Sequence, residues 1–496
     1  MTLKSLDRLP FNNAFFDLGS DFYQAKSPDP VEGPFLVHFN RAVGNLLELP
    51  ENVESDSSFL DYFSGNKEIP GSQPLAMRYT GHQFGSYNPH IGDGRGLLLG
   101  ELETSSGINW DIHLKGAGPT RFARGFDGRA SLRASIREYL GGEAIHGLRI
   151  PSSRALGIIG FKELIFRQMP EIPAILIRIA ESHVRFGNFE AFHYAKKTKH
   201  IKKLANYVIW RHYPHLTQES DKYRLLFRSV VEKTASLIAG WQAAGFVHGV
   251  MNTDNMSIIG LCFDYGPYGF MDSFNPHYIP NSSDKQGRYS FSKQPEIGFW
   301  NLEKFALTLT SLIDGDALNE ELMRYQECFN LAYRNLMAAK LGVKIIDADF
   351  KTLTGELFEI LYKHRIDYTN FFRLLSRFRN EDIQPILDRF VDPTDIENWF
   401  NQYGEVLNKE SSDDLTRQHE MNRINPRFIL RNHLAQRAID AALKDSDYSE
   451  IDRIIFLTQN PFVDNDILLK EKQIDPELYF ADSPTQFSGS QTSCSA

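Results

Sequence analysis

Apolar and polar positions change rhythm once along this chain. From about Leu75 to Ala180, short apolar runs alternate with glycine-rich turns, as in LAMRYT, GLLLGELE and INWDIHLKG. Runs of that length between turn residues predict strands. One helix interrupts them. Leu132, Ile136, Leu140 and Ala144 fall at four-residue steps, which predicts a helix over 129–146. Beyond about residue 182 the helical spacing dominates. Leu226, Val230, Leu237 and Trp241 predict a helix with one buried face over 223–244. Further helices are predicted over 301–312, 318–339, 349–365, 382–390 and 426–442. Residues 1–70 are mixed and turn-rich, with Pro28, Pro30 and Pro34 close together. The final SPTQFSGSQTSCSA has little to bury and is expected to be mobile. Strands first and helices after predict an α+β protein with two lobes. The expected parts are a strand-rich lobe with an N-terminal extension over 1–180, a helical lobe over 181–400, and a helical extension with a tail over 401–496.

Composition narrows the classes. The 496 residues are 42% hydrophobic and 24% charged, which excludes wholesale disorder. A net charge of −9 makes a general binder of nucleic acid or anionic membrane unexpected, although a local basic groove is compatible with it. No run reaches the roughly 18 apolar residues of a membrane span. The first residues, MTLKSLDRLPFNNAFF, have no apolar core of a signal peptide. Three cysteines, Cys262, Cys328 and Cys494, make no disulfide framework. A reducing, cytoplasmic setting is expected.

Candidate chemistry lies in four places. Gly92–Gly96 read GDGRG before an apolar run; such glycines let backbone N–H groups approach a phosphate, and a tight turn explains them equally well. Lys115 ends a predicted strand, and Glu138 follows inside the predicted helix. As a pair they would hold an ammonium against phosphate oxygens; singly they are a surface lysine and an unrelated glutamate. FVHGVMNTDNMSI and CFDYG supply Asn255 and Asp264, two oxygen ligands suited to Mg²⁺ or Mn²⁺. Asp254 beside them is suited to accept a proton, while the bland alternative is an Asx-rich turn. Order breaks the tie, because glycine-rich turn, strand Lys, helix Glu, loop Asn and Asp-aromatic-Gly follow the order of the protein kinase parts. His248 and Asn255 keep the seven-residue spacing of the kinase catalytic loop, and Asp264-Tyr265-Gly266 replaces Asp-Phe-Gly. Gly249 stands where that loop has Arg, and Val250 where it has the proton-accepting Asp. Valine accepts no proton, so either the fold is a dead binder or Asp254 takes that role.

The blocks RYTGHQFG, GDGRG, LKGAGPT, DGRASLRASIREYL, ESHVRFG, HGVMNTDNMSI, DYGPYGFMD, QGRYSF and NPRFILRNHLAQ resemble the selenoprotein O family over roughly residues 8–496. The resemblance implies a kinase-like protein adenylyltransferase. Such an enzyme transfers AMP from ATP to Ser, Thr or Tyr hydroxyls of proteins, releases pyrophosphate, and binds ATP inverted relative to kinases. It implies Asp254 as the proton acceptor, Asn255 and Asp264 on Mg²⁺ or Mn²⁺, and Lys115 on phosphate with Glu138 as its ion-pair partner. Gly92, Gly94, Arg95, Asp127, Gly128, Arg178 and Arg185 are then nucleotide contacts, with Asp264 also at the nucleotide through the metal. Guanidinium forks suit the terminal phosphates of an inverted nucleotide.

Some members of that family carry selenocysteine near the C-terminus, and Cys494 stands at that kind of position. It could serve redox control or be an inert terminal thiol. Pro280 stands where related chains can carry a partner Cys, which puts a regulatory disulfide in doubt. Lys196, Lys197, Lys199, Lys202 and Lys203 beside Ile201, Leu204 and Val208 predict a solvated helix face, with a docking patch as the alternative. No zinc-type ligand pair occurs among the fifteen histidines. Protein substrates, no nucleic acid, no membrane and a monomer are expected. The rival readings are UMP transfer with Mn²⁺, an ordinary phosphotransferase using Asp254, and a non-catalytic ATP-binding pseudokinase scaffold.

Overall fold

In the computed structural model, residues 5–167, 169–410, 413–484, 487, 489 and 491–493 are described. Strands of the predicted 75–180 region join two from the turn-rich first 70 residues in one antiparallel sheet of β1 (Tyr23–Ala25), β2 (Phe35–Phe39), β3 (Leu75–Met77), β4 (Gly96–Glu103), β5 (Asn109–Lys115), β6 (Ala130–Ser131), β7 (Arg154–Gly160) and β8 (Pro173–Ala180). Its order is β1-β3-β4-β5-β8-β7-β2, with β6 also on β8. Alternation along β5 sorts its side chains between the two faces. Ile112 and Leu114 join Leu97, Ile175 and Ile177 in a core closed by Phe59 and Phe63. His113 and Lys115 point to the opposite face. Leu98, Ala174 and Leu176 on that face pack in the same core as helix α1 (Leu132–Gly147).

The Ser131 hydroxyl accepts the Ala134 amide and fixes the start of α1. Leu132, Ile136, Leu140 and Ala144 are buried as their spacing predicts. The helices that follow are α2 (Phe186–Tyr194), α3 (Thr198–His212), α4 (Lys222–Ala244), α5 (Gln294–Leu309), α6 (Gly315–Leu341), α7 (Ala348–His364), α8 (Tyr368–Leu375), α9 (Thr394–Asn408), α10 (Asn432–Asp445) and α11 (Ser449–Gln459). The mixed antiparallel sheet and helices make the protein α+β. Helices α7, α8 and α9 close a second core around Phe371 and Trp399. Helices α10 and α11 lie against α1, where Gln459 donates to Glu143 at 3.0 Å. The region past residue 400 therefore braces the helix that carries Glu138.

Two predicted helices are corrected. Over 382–390 only Gln384–Leu387 is helical, because the Arg389 and Phe390 amides close three-residue turns onto Ile386 and Leu387. The helix predicted over 426–442 starts at Asn432, because the Arg427 and Phe428 amides both donate to the Pro461 carbonyl. The lysine run behaves as a solvated face: Ile201, Leu204 and Val208 are buried, and Lys197 pairs with Asp21 at 2.9 Å. No described helix is long and apolar enough to cross a membrane.

The expectation of a mobile tail is corrected at residues 491–493. Thr492 donates its amide to the Pro280 carbonyl at 2.8 Å and accepts the Ser282 amide at 2.9 Å. The Gln491 side chain adds a bond to the Ile279 carbonyl. The tail thus pairs with the segment holding Pro280, while Cys494 lies outside the described residues. Thr492→Pro removes the donor. It should speed hydrogen exchange at the Ser282 amide by about tenfold, the cost of one bond of about 1.4 kcal/mol. An unchanged rate at Ser282 would dismiss the pairing.

Candidate active site

Register builds the site. On β5 and β8, His113 lies opposite Arg178 and Lys115 opposite Leu176, so Lys115 and Arg178 share one face of the sheet. Glu138 on α1 faces both cations. The Lys115 ammonium donates to one Glu138 oxygen, and Arg178 donates to the other at 2.6 Å. Arg178 also reaches one oxygen of Asp264, and Arg185 takes the other at 2.8 Å. Arg185 continues to the Asp254 carbonyl at 2.9 Å, with its guanidinium stacked on Tyr79 and Phe263. Five residues from four sequence blocks thus form one charge network.

Burial and neighbours set its proton affinities. Desolvation brings Lys115 down to about 8 despite the Glu138 carboxylate. Desolvation works against the ionised Asp264, but the adjacent Arg178, Arg185 and Lys115 outweigh it and hold the carboxyl well below the ordinary range. Asp254 differs. Its carboxyl is pushed up to about 7, chiefly by burial. Its Oδ1 is buried with no donor, and its Oδ2 meets only the Gln83 amide, at a long 3.4 Å.

A cavity of about 750 Å³ opens over this network. Lys115, Arg178, Asp254 and Asp264 line it, as do Gly92, Gly94 and Arg95 of the glycine-rich turn and the Asp127-Gly128 pair. At Gly94 a Cβ would lie 2.9 Å from the Phe122 carbonyl, so only glycine lets the turn close there. Asp127 sits on the rim, where Arg167 grips both its oxygens at 2.7 and 2.9 Å. Glu138 and Arg185 stand behind the cavity wall rather than on it.

The 248–255 segment is tied down by its own side chains and by close backbone packing. His248 Nε2 bonds the Phe263 carbonyl at 3.0 Å, joining that loop to the Asp264 segment. Gly249 has φ +77°, and a Cβ there would lie 2.4 Å from the Pro267 carbonyl, so the arginine of the kinase pattern has no room. Asn255 donates its amide to the Val250 carbonyl at 2.9 Å, which leaves its own carbonyl oxygen as a ligand atom.

Each Asp264 oxygen accepts one guanidinium bond and keeps a second acceptor direction. Asp264 lines the cavity and Asn255 is not among its lining residues; their oxygens would suit Mg²⁺ or Mn²⁺ only together with those of a bound polyphosphate. No cluster of three or more His, Cys, Asp or Glu suited to a metal occurs among the described residues.

Two supporting groups are absent from the sequence reading. Asp93, inside GDGRG, is buried; it accepts the Met77 amide at 3.1 Å and faces His113 Nε2 at 3.3 Å, which pins the turn to the sheet. Arg137 donates to the Tyr268 carbonyl at 2.5 Å and to Gly266 at 3.2 Å, which clamps the DYG segment to α1. Their signals were present, a charge between glycines and a charge beside Glu138, but neither shows its partners. Cys262 is buried, and its thiol is pushed far up by desolvation, so it offers no reactive thiolate.

The sequence model of the family described as "Protein adenylyltransferase SelO" matches residues 5–459. A "Protein nucleotidyltransferase YdiU" of Myxococcus xanthus is 44% identical over 497 residues, covering 100% of both chains. The protein of that name from a strain of Pseudomonas fluorescens is 44% identical over 496 residues, again covering 100% of each. That from Photobacterium profundum is 44% identical over 489 residues, covering 93% of this chain and 95% of its own. With a family match from residue 5 to 459 and full-length relatives at this identity, the chain belongs to the SelO family and is an enzyme of the nucleotidyltransferase class.

Proposed function

We propose that the protein transfers AMP from ATP to a Ser, Thr or Tyr hydroxyl of target proteins, with Asp254 as the proton acceptor. One observation carries this reading: Asp254, a buried carboxylate whose Oδ1 has no donor, lines the same cavity as Lys115, Arg178 and Asp264. Val250 stands where a kinase holds its base, and Asp254 is the carboxylate left to fill that role. The target hydroxyl oxygen attacks the α-phosphorus, the bond from that phosphorus to the bridging oxygen breaks, and pyrophosphate leaves. The hydroxyl proton passes to the Asp254 carboxylate. Lys115 and Arg178, held by Glu138, face the triphosphate charge, and most of the gain is positioning and electrostatics. Asn255 and Asp264 would hold Mg²⁺ or Mn²⁺, which supplies further neutralisation of the triphosphate. Arg185 orders Asp264 and the Asp254 backbone together. Gly92, Gly94, Arg95, Asp127 and Gly128 line the rest of the nucleotide site in this reading.

The same reading takes residues 1–180 as a kinase-like strand-rich lobe, 181–400 as the helical lobe and 401–496 as its extension. It describes a cytoplasmic monomer that acts on proteins and not on nucleic acid or membranes. The test uses ATP labelled separately at the α- and γ-phosphorus, with the purified protein and a cell lysate as acceptors. Label from the α position, lost in Asp264→Ala, is the expected result. Label from γ would make the enzyme a kinase and overturn the mechanism. ATP binding without label from either would make it a scaffold.

A further inference from the structure

A second cavity, of about 850 Å³, shares no lining residue with the first. It lies between α4, α6, the 148–151 turn and the 423–426 segment. Its volume falls in the range of about 300–1,000 Å³ usual for small-molecule sites. Ile150, Leu237, Leu261, Leu336, Ile424 and Phe462 give it an apolar wall. Its charges are unbalanced. Arg149, Lys233, Lys340 and Arg423 line it against Glu181 and Glu232, and Glu232 already faces Arg324 at 3.5 Å. None of the four cations makes an ion pair with a described residue. Arg149, Lys233 and Arg423 are exposed, but Lys340 is only 5% exposed. The Lys340 ammonium rests 4.4 Å from the centre of the Phe372 ring and 5.3 Å from that of Tyr368, with no carboxylate beside it.

A buried cation that no anion compensates is costly, and burial alone brings Lys340 down to about 7. Cation–π contact returns only about 0.5–2 kcal/mol. An apolar chamber holding such a cation complements a molecule with an apolar body and one anionic head.

We infer that this cavity binds a medium-chain alkyl carboxylate, its chain along Leu237, Leu261 and Leu336 and its carboxylate on Lys340. The wall is continuous with the active site. Next to Leu261, the Cys262 amide donates to the Pro151 carbonyl at 3.0 Å, and Asp264 follows two residues later.

Calorimetric titration of the full chain with dodecanoate, below its micellar concentration, tests this. Dodecanol and dodecyltrimethylammonium are the comparators. One site per chain is expected, with dodecanoate at least about tenfold tighter than dodecanol, the worth of one charge-assisted hydrogen bond. Lys340→Met should bring dodecanoate and dodecanol to equal affinity. Ser236→Phe, on the exposed face of α4 beside the cavity, should abolish binding of both while nucleotidyl transfer continues unchanged. If Lys340→Met does not fold, the dodecanol comparison and Ser236→Phe decide charge and location by themselves. No saturable dodecanoate binding, equal affinity for dodecanol in the unmodified protein, a carboxylate preference surviving in Lys340→Met, or binding unaffected by Ser236→Phe would each overturn the inference. So would binding to phosphatidylglycerol vesicles that free dodecanoate does not displace, since the site would then be a membrane-contact surface.

Discussion

Asp254→Asn is expected to lower the rate of nucleotidyl transfer by about two to four orders of magnitude, the usual worth of a positioned general base. Asparagine fills the same space and keeps the Gln83 contact as a hydrogen bond, but it has no lone pair basic enough to take the hydroxyl proton. ATP affinity should stay within about threefold, because the triphosphate cations Lys115 and Arg178 are untouched. A second consequence separates a missing base from a damaged fold. In the free protein, with EDTA present, the Asp254 carboxyl is raised from its ordinary 3.8 to about 7 by burial. A carboxyl raised on folding contributes stability that is fully present below the unfolded value and lost as pH rises through the folded one. Ionised Asp254 therefore costs stability above about pH 7, and asparagine escapes that cost. The variant should melt higher than the unmodified protein at pH 8, and the difference should shrink towards pH 5. An inactive variant that melts lower at pH 8 would mean that the carboxylate is structural, and Asp254 would lose its role. The site then follows a common pattern, in which a destabilising buried group is retained because the chemistry needs it.

The parts of this site legible in the sequence were those written in local spacing. Alternation in IHLK separates Ile112 and Leu114 from His113 and Lys115, and that separation decides which face meets α1. Four-residue steps from Leu132 give α1 and place Glu138 within it. The seven-residue interval from His248 to Asn255 locates the loop, and Val250 in the base position makes Asp254 the candidate. What stayed hidden depends on partners distant in sequence. Nothing local to Arg427 shows that its amide will donate to Pro461 rather than open a helix. Nothing in GDGRG shows that Asp93 will turn inward to His113. The family resemblance brings Arg178 and Arg185 to the nucleotide, but only the folded structure shows that both grip Asp264. Composition measures what a segment can bury and so predicts a mobile tail, whereas Thr492 is held by backbone bonds to Pro280 and Ser282.

Glu138→Ala should cost the protein about 3–5 kcal/mol of stability, because it removes one carboxylate from between two buried cations. Glu138 is 4% exposed, and its two oxygens hold Lys115 and Arg178. With alanine there, Asp264 alone remains to compensate Lys115, Arg178 and Arg185, and the excess positive charge faces the cavity. The penalty should therefore depend on what the cavity contains. ATP brings a polyphosphate to the same cations, so it should raise the melting temperature of Glu138→Ala more than that of the unmodified protein. Transfer should still fall sharply, since the cations would follow the phosphates instead of being held in advance where charge develops. Glu138→Gln keeps the shape and one acceptor and should lie between the two. Thermal unfolding with and without ATP reads the whole series. If ATP stabilises Glu138→Ala no more than the unmodified protein, the triphosphate does not lie against Lys115 and Arg178. The nucleotide would then have to be placed elsewhere in the cavity, towards Arg95 and the Asp127-Gly128 rim, and the role assigned to the Glu138 ion pairs would be confined to holding α1 against the sheet.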